Sequence, residues 1–560
     1  MTNTVHNRPN VQSMTVADDE FQAVSEGRIR IRIGAFAFIF MIVLVVLRLG
    51  ETSLFGPKPA PPHLPQAITT TRADITDRNG EILATTLLTY SLYAEPHIVW
   101  NVAETADAIL TVLPNLDRGD VVARLSSDKS FEWIVRGLTP KERQAVFSLG
   151  QPGLGFRQEP KRVYPRGALA SHIVGYADRD LVGTAGSERA FNDELSLPNA
   201  PAKALSIDIR VQYALADSLS DGLDRYQAKS AAGVVLDMTT GEIIAMASLP
   251  EFDPNAPATA SPQNKFNHAA MSTYELGSVF KPITMALALE TETSNLTETL
   301  PVHKPFKVRS KYIRDDHPSK VPLAMPDILS QSSNRGTAML ALRAGADAQK
   351  DLLRNLGLFD RVPYELSESA RPQLQSRWID LTTTTVSYGH GIAVTPLALA
   401  VASAPLMNGG LYVTPTIAKR DAANPVSMRR VLSETTAAHI RDMMRYVVTD
   451  GTGRNARAAG YGVMGKTGTA DKPVVGGYAE KGEVVTSFIA GFPYADPRYV
   501  VMITYDQPQT VEGDWNYRGA GWNAAKTTKA VIQRIGPMLG VKRSQIAMMQ
   551  KGFKSQETLR

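Results

Sequence analysis

The stretch "YELGSVFKPIT", residues 274 to 284, sets Ser278 and Lys281 three positions apart, with Gly277 before the serine and Pro282 after the lysine. Phe280, Ile283 and Leu287 follow at helical spacing, so one face of this segment goes to a core. Proline lacks an N–H and clashes with the preceding turn, so Pro282 belongs in a first turn and the helix is expected to start near Gly277 or Ser278. Ser278 then sits where backbone N–H groups are unpaired and the helix dipole is positive, which suits a nucleophile that attacks a carbonyl. Lys281, one turn on, lies on the same side. A serine and a lysine at this spacing also arise by chance. Ser126 and Lys129 in "SSDK" form such a pair, but nothing around them repeats the glycine, the proline or the apolar face.

Two further stretches bear on the same chemistry. "KTGTA", Lys466 to Ala470, lies in a strand-like run. Its glycine weakens a strand and often marks close approach of another backbone, here expected to be a substrate peptide added along the edge. Alternation would send Lys466 and Thr467 to opposite faces, so a site using both runs along that edge. Ser332-Ser333-Asn334, in a helical region, would alone be read as a helix cap or loop.

The bulk properties limit the alternatives. The chain has 560 residues, 43% hydrophobic and 21% charged, with a net charge of +5. That is ordinary globular composition, with a length prior of roughly three to four domains. No Lys/Arg stripe alternates with aromatics, so nucleic acid is not an expected partner. The absence of cysteine excludes disulfides, zinc-thiolate sites and thiol catalysis.

An apolar run, Ile33 to Leu49, follows Arg28, Arg30 and Arg32. It reads as a single transmembrane helix at the short end of the spanning range, with residues 1–32 cytoplasmic and the remainder outside. No small-x-small site follows it, which favours an uncleaved anchor over a signal peptide. Residues 50–66 form a proline-rich linker expected to be stiff. From 67 to 200 a mixed α/β pedestal begins with a hairpin around Asn79-Gly80. From 201 to 540 strand-like runs flank a helical middle, predicting an α+β domain in which one antiparallel sheet carries an inserted helical lobe. Residues 541–560 read as a peripheral tail.

The S-x-x-K, Ser-Ser-Asn and K-T-G stretches occur in the order seen in penicillin-binding proteins. The likeness extends well beyond them. "RADITDRNGEILA", "RVYPRGALASHIVGYA" and "GTAGSERAFNDEL" resemble the pedestal boxes of the class B enzymes, and "LDMTTGEIIAMASLPEFDPN" and "SYGHGIAVTPLALA" their transpeptidase domain. "GKTGTADKPVVGGY" is most similar to the division-specific FtsI type, penicillin-binding protein 3. One departure is Leu276, where the family usually has proline, which implies a slightly looser start to the helix.

The resemblance implies a membrane-anchored peptidoglycan D,D-transpeptidase of septal wall synthesis, facing the periplasm from the inner membrane and acylated by β-lactams. Ser278 would attack the D-alanyl-D-alanine bond of a stem peptide. Lys281 would accept its proton, kept neutral by burial and by the charge of Lys466. Ser332 would relay that proton and Asn334 hold the substrate amide. Lys466, Thr467 and Thr469 would bind the terminal carboxylate, with Gly468 between them in the strand. The N–H groups of Ser278 and Thr469 would form the oxyanion hole. No cofactor or metal is implied, and the implied partner is a membrane glycosyltransferase of the FtsW type. An elongation-specific transpeptidase remains an alternative. So does a β-lactamase or D,D-carboxypeptidase, which the anchor and pedestal disfavour. Intact motifs disfavour an idle scaffold.

Overall fold

The computed structural model describes residues 32–48, 72–421, 423–474, 477–478, 483–511 and 518–544. The proline-rich linker, nearly all of the cytoplasmic tail and most of the C-terminal tail expected from the sequence lie outside these residues. Residues 1–69 and 70–560 form two separate units. In the first, residues 32–48 are one exposed helix. No helix among the described residues is long and apolar enough to cross a membrane.

The second unit opens with the expected hairpin. β1 (Ile75–Thr76) pairs antiparallel with β2 (Ile82–Ala94). Between them Gly80 takes a φ of +92°, and the Asp77 carboxylate accepts from the N–H groups of Asn79 and Glu81. Its other oxygen accepts from Ile209 N–H, so a pedestal residue caps the first long helix of the catalytic region. β2 also pairs with β3 (Glu132–Leu138) and β4 (Leu154–Val163), and β1 pairs in parallel with β5 (Lys203–Ala204). Three helices, α1 (Val102–Val112), α2 (Arg118–Leu125) and α3 (Pro140–Phe147), cover this sheet through Ile109, Val121, Leu125 and Val146.

The three pedestal boxes meet in one buried ion cluster. Glu188 accepts from Arg72 Nε and Arg162 Nε at 2.6 Å each, and all three side chains are essentially excluded from solvent. One carboxylate thus serves two guanidiniums. Glu188→Ala leaves both buried without a counter-charge and should cost roughly 3–5 kcal/mol in denaturant unfolding. A change under about 1 kcal/mol would show that the cluster does not hold the pedestal together.

Beyond the pedestal come α4 (Ile209–Arg225), β6 (Ser230–Asp237) and β7 (Ile243–Leu249). The helical lobe follows with α5 (Lys281–Glu290), α6 (Met325–Ser330), α7 (Asn334–Ala344), α8 (Pro396–Ser403) and α9 (Glu434–Thr449). The chain then returns through β8 (Met464–Asp471), β9 (Val484–Phe492), β10 (Tyr499–Asp506) and α10 (Ala524–Met538). The sheet order is β8-β9-β10-β6-β7, antiparallel throughout. Both its faces are covered, which is why the strands read as near-continuous apolar runs. Val234, Leu236, Val500 and Met502 join the core on the lobe side. Their neighbours Val235, Val501 and Ile503 pack with residues of α4 and α10, such as Leu215 and Val531. β8 is left as an edge strand beside the lobe.

Candidate active site

Local sequence sets the start of the α5 segment. Gly277 takes a φ of +63°, and Gly277–Phe280 form a 3₁₀ turn; the α-helix proper begins at Lys281. This is later than the spacing predicts, because Pro282 lies in the first turn and the tighter 3₁₀ winding takes up the residues before it. A 3₁₀ helix has three residues per turn, so Ser278 and Lys281 eclipse one another more closely than on an α-helix. Leu276 is fully buried with a φ of −94°, so packing holds the backbone here without a proline ring.

Gly468 lets this turn meet β8. A Cβ there would lie 2.4 Å from the Leu276 carbonyl oxygen and 2.9 Å from Val279 Cγ1; one on Gly277 would lie 2.7 Å from Thr469 O. The backbone that approaches the strand glycine is therefore the chain's own serine turn, rather than the substrate peptide expected from the sequence. The glycine is needed because two backbones touch, and they touch next to Ser278. Ser278 is half-buried.

Ser332 sits between the two lysines. Lys281 Nζ donates to the Ser332 carbonyl oxygen and, at 3.1 Å, to its hydroxyl. Lys466 Nζ donates to the same hydroxyl at 3.0 Å, and also to Thr467 O and Thr467 Oγ1 at 2.9 and 3.2 Å. Ser332 itself has a φ of +61°, a left-handed conformation that costs a serine roughly 1–3 kcal/mol. Its neighbour Ser333 is the helix cap, accepting from Gly336 N–H at 3.1 Å. Asn334 begins α7, and its amide donates to Arg314 O at 2.9 Å. Thr469 is exposed on β8, where its hydroxyl accepts from Ala520 N–H. The structure thus joins Lys281, Ser332, Lys466 and Thr467 directly and sets Ser278, Gly468 and Thr469 alongside. Asn334 is tied one residue beyond Ser333.

Both lysines are fully buried. Burial lowers Lys281 from 10.5 to about 7, while Asp315 and Asp316 oppose the shift. Lys466 is lowered well below 10.5, by burial first and by the charge of Lys281 second. The sequence expectation made Lys466 a cause of the Lys281 shift. Burial is the main cause for each, and the Lys281 charge acts on Lys466.

Three contributors were not legible in the sequence. Thr452 lies 3.0 Å from Thr467 across their hydroxyls, and Ala520 reaches Thr469 from a distant loop. Asp315 accepts from Ser333 Oγ at 2.9 Å and from Arg335 N–H at 3.0 Å, pinning the segment that holds Ser332 in its left-handed turn. The acidic pair in "RDDH", residues 314 to 317, is the one sequence signal that could have pointed to it. Asp315→Ala should slow penicillin acylation by about a hundredfold through misplacement of Ser332. It should also shift the acid limb of the pH profile downward, since a group that favours protonated Lys281 is gone. An unchanged rate and profile would remove Asp315 from the site. The decoy pair lies elsewhere: Lys129 is an exposed partner of Glu132, and Ser126 ends α2.

Known proteins resemble this chain in both of its regions. Residues 231–533 match the penicillin-binding protein transpeptidase domain, and residues 67–197 the penicillin-binding protein dimerisation domain. The chain is 39% identical to the probable peptidoglycan D,D-transpeptidase FtsI of Caulobacter vibrioides over 85% of its own length and 83% of that protein's. It is 29% identical to the peptidoglycan D,D-transpeptidase FtsI of Escherichia coli, over 79% of this chain and 80% of that one. Among solved structures, penicillin-binding protein 3 of Mycobacterium tuberculosis, complexed with aztreonam, superposes with a TM-score of 0.67 at 24% identity, covering 85% of this chain and 97% of the other. With both domains matched and in this order, the chain belongs to the penicillin-binding protein transpeptidase family and is of its two-domain, FtsI-like type.

Proposed function

We propose that the chain cross-links peptidoglycan as a serine D,D-transpeptidase of septal wall synthesis, with Ser278 as nucleophile. The observation that carries this reading is the convergence of Lys281 and Lys466 on one hydroxyl, Ser332 Oγ, beside the Ser278 turn. Two buried amines this close do not both keep a proton near neutrality, and they titrate as a pair. A substrate carboxylate beside Lys466 and the Thr467 and Thr469 hydroxyls supplies the missing counter-charge, so the proton settles on Lys466 and Lys281 stays neutral.

Neutral Lys281 takes the Ser278 proton as Oγ bonds to the penultimate D-alanine carbonyl carbon. The oxyanion is held by the N–H groups of Ser278 and Thr469. The peptide bond breaks, and the proton passes from Lys281 through Ser332 Oγ to the departing D-alanine nitrogen, leaving an ester on Ser278. An acceptor amine from a second strand attacks that ester, returns its proton along the same path and frees the serine. Asn334 orients the donor stem.

The 17-residue helix over 32–48 would anchor the chain in the inner membrane. At 1.5 Å per residue it is about 25 Å long. Arg32 and Arg48 at its ends snorkel outward and extend its reach towards the ~30 Å hydrocarbon core. The catalytic domain is then periplasmic, and the pedestal, roughly residues 67–200, meets a membrane glycosyltransferase of the FtsW type together with the anchor. Deleting the pedestal should abolish that co-purification; retained co-purification and division would end this assignment.

The test of the reaction is incubation with a D-alanyl-D-alanine-ended donor and an amine acceptor. The expected outcome is cross-linked product well in excess of hydrolysed stem. Hydrolysis as the dominant route would favour the carboxypeptidase or β-lactamase reading.

A further inference from the structure

A large cavity lies away from the serine turn. A space of about 850 Å³ opens at the seam between pedestal strands β2–β4 and the catalytic-region loop Pro254–Ala258. A smaller space of about 300 Å³ shares Tyr176 and Lys265 with it and runs on to Ser171, Asn267 and Glu368. The two together are large enough for a drug-sized or larger ligand.

Three polar groups lining these spaces are buried without a hydrogen-bond partner: Arg162 Nη2, Asn267 Nδ2 and Ser171 Oγ. Their residues are 7%, 2% and 1% exposed. Buried polar groups in a native fold are nearly always paired, so three at one seam call for acceptor oxygens from outside the chain. The charges available nearby point the same way. Glu159 is already taken by Arg136 and Ser91, and Asp178 by the N–H groups of Asp180 and Val182. Lys161 and Arg179, also on the wall, make no ion pair among the described residues; with Arg136, Arg162 and Lys265 they set five cations on the wall against the three carboxylates Glu159, Asp178 and Asp180.

The seam is bridged at the same place. Tyr164 N–H donates to Asn255 Oδ1 at 2.9 Å, and Asn255 Nδ2 donates to Tyr164 O at 3.0 Å. Both residues line the larger cavity, so a ligand there touches the clamp that joins pedestal to catalytic region.

We propose that this seam is a second binding site, distinct from the acylation site, for a carboxylate-bearing glycopeptide, the chemical class of uncross-linked wall fragments. Free cations and orphaned donors recognise carboxylate, amide and hydroxyl oxygens together, which a glycopeptide carries and a simple anion or a lipid tail does not. The choice of glycopeptide rests on the transpeptidase reading above; the cations and unpaired donors of the cavity, which seek oxygen, do not.

The test uses the full chain, first acylated with a penicillin to close the serine site, and titrates it calorimetrically with muramyl dipeptide. A neutral N-acetylglucosamine disaccharide is the comparison. Saturable binding of the dipeptide, weakened about tenfold or more in the double variant Lys161→Ala, Arg179→Ala, is the expected result. Both positions are exposed, so the double variant should keep its fold and its penicillin acylation rate. No saturable binding, or equal binding by the double variant, overturns the proposal, and equal affinity for the neutral disaccharide overturns its carboxylate component. Failure of penicillin to acylate the parent chain would strike instead at the transpeptidase reading, and titration of the unacylated chain would still test the cavity.

Discussion

Ser278→Ala is expected to abolish covalent labelling by a fluorescent penicillin while leaving the thermal midpoint close to that of the parent. The loss is complete because, among the described residues, no other hydroxyl stands at the start of α5 against the Gly468 edge of β8. Ser332 is near, but its hydroxyl accepts from two lysines and its backbone is held in a left-handed turn, which leaves it poorly placed to attack. The fold survives because the Ser278 side chain is half-buried, at the head of a helix whose core contacts come from Val279, Phe280 and Ile283. Ser126→Ala, in the decoy motif, serves as the control and should leave labelling unchanged. Residual labelling of Ser278→Ala above a few per cent would contradict the assignment.

Lys281→Ala should slow acylation by about 10²–10⁴-fold, the usual contribution of a positioned general base. The pH dependence gives a second readout. With Lys281 lowered by burial to about 7, the parent enzyme should lose acylation rate as pH falls below about 7, where the base becomes protonated. Lys281→Ala should lose that limb. The same shift sets a stability trend. A lysine whose folded pKa lies below its unfolded 10.5 binds fewer protons folded than unfolded between about 7 and 10.5. Its contribution to stability therefore rises with pH across that window and is least favourable below it. Denaturant midpoints of the parent and Lys281→Ala, compared at pH 7 and pH 10, should show a steeper rise in the parent. A flat acylation profile down to pH 5 would mean Lys281 is not the base.

Much of the site could be read from sequence because its parts depend on local rules. Pro282 fixes where a helix can begin, and Gly277 and Gly468 mark backbone that needs a missing Cβ. The alternating cores of β6 and β10 made the sheet legible as apolar runs. Where the reading departed, three-dimensional contact was the cause. The strand glycine signalled a close neighbour, but sequence carries no information on whether that neighbour is a ligand or the chain's own turn. Asp315 and Thr452 reach the site from loops 18 and 15 residues from their partners, one through Ser333 and the other through Thr467. Neither belongs to a pattern of period or spacing. The lysine pair was legible as two charges, but which charge acts on which depends on how deeply each is buried and on Asp315 and Asp316 beside Lys281. In the pedestal, three resemblance boxes gave no hint that Arg72, Arg162 and Glu188 form a single cluster.

The most direct measurement is the site of the penicillin adduct. Trypsin does not cut before proline, so Lys281-Pro282 and Lys304-Pro305 stay intact and Ser278 falls in the peptide Phe266–Lys307. Mass spectrometry of the penicillin-treated, digested protein should find the added mass on that peptide, with fragment ions assigning it to Ser278. An adduct on any peptide lacking Ser278, Leu125–Lys129 of the decoy included, would contradict the account.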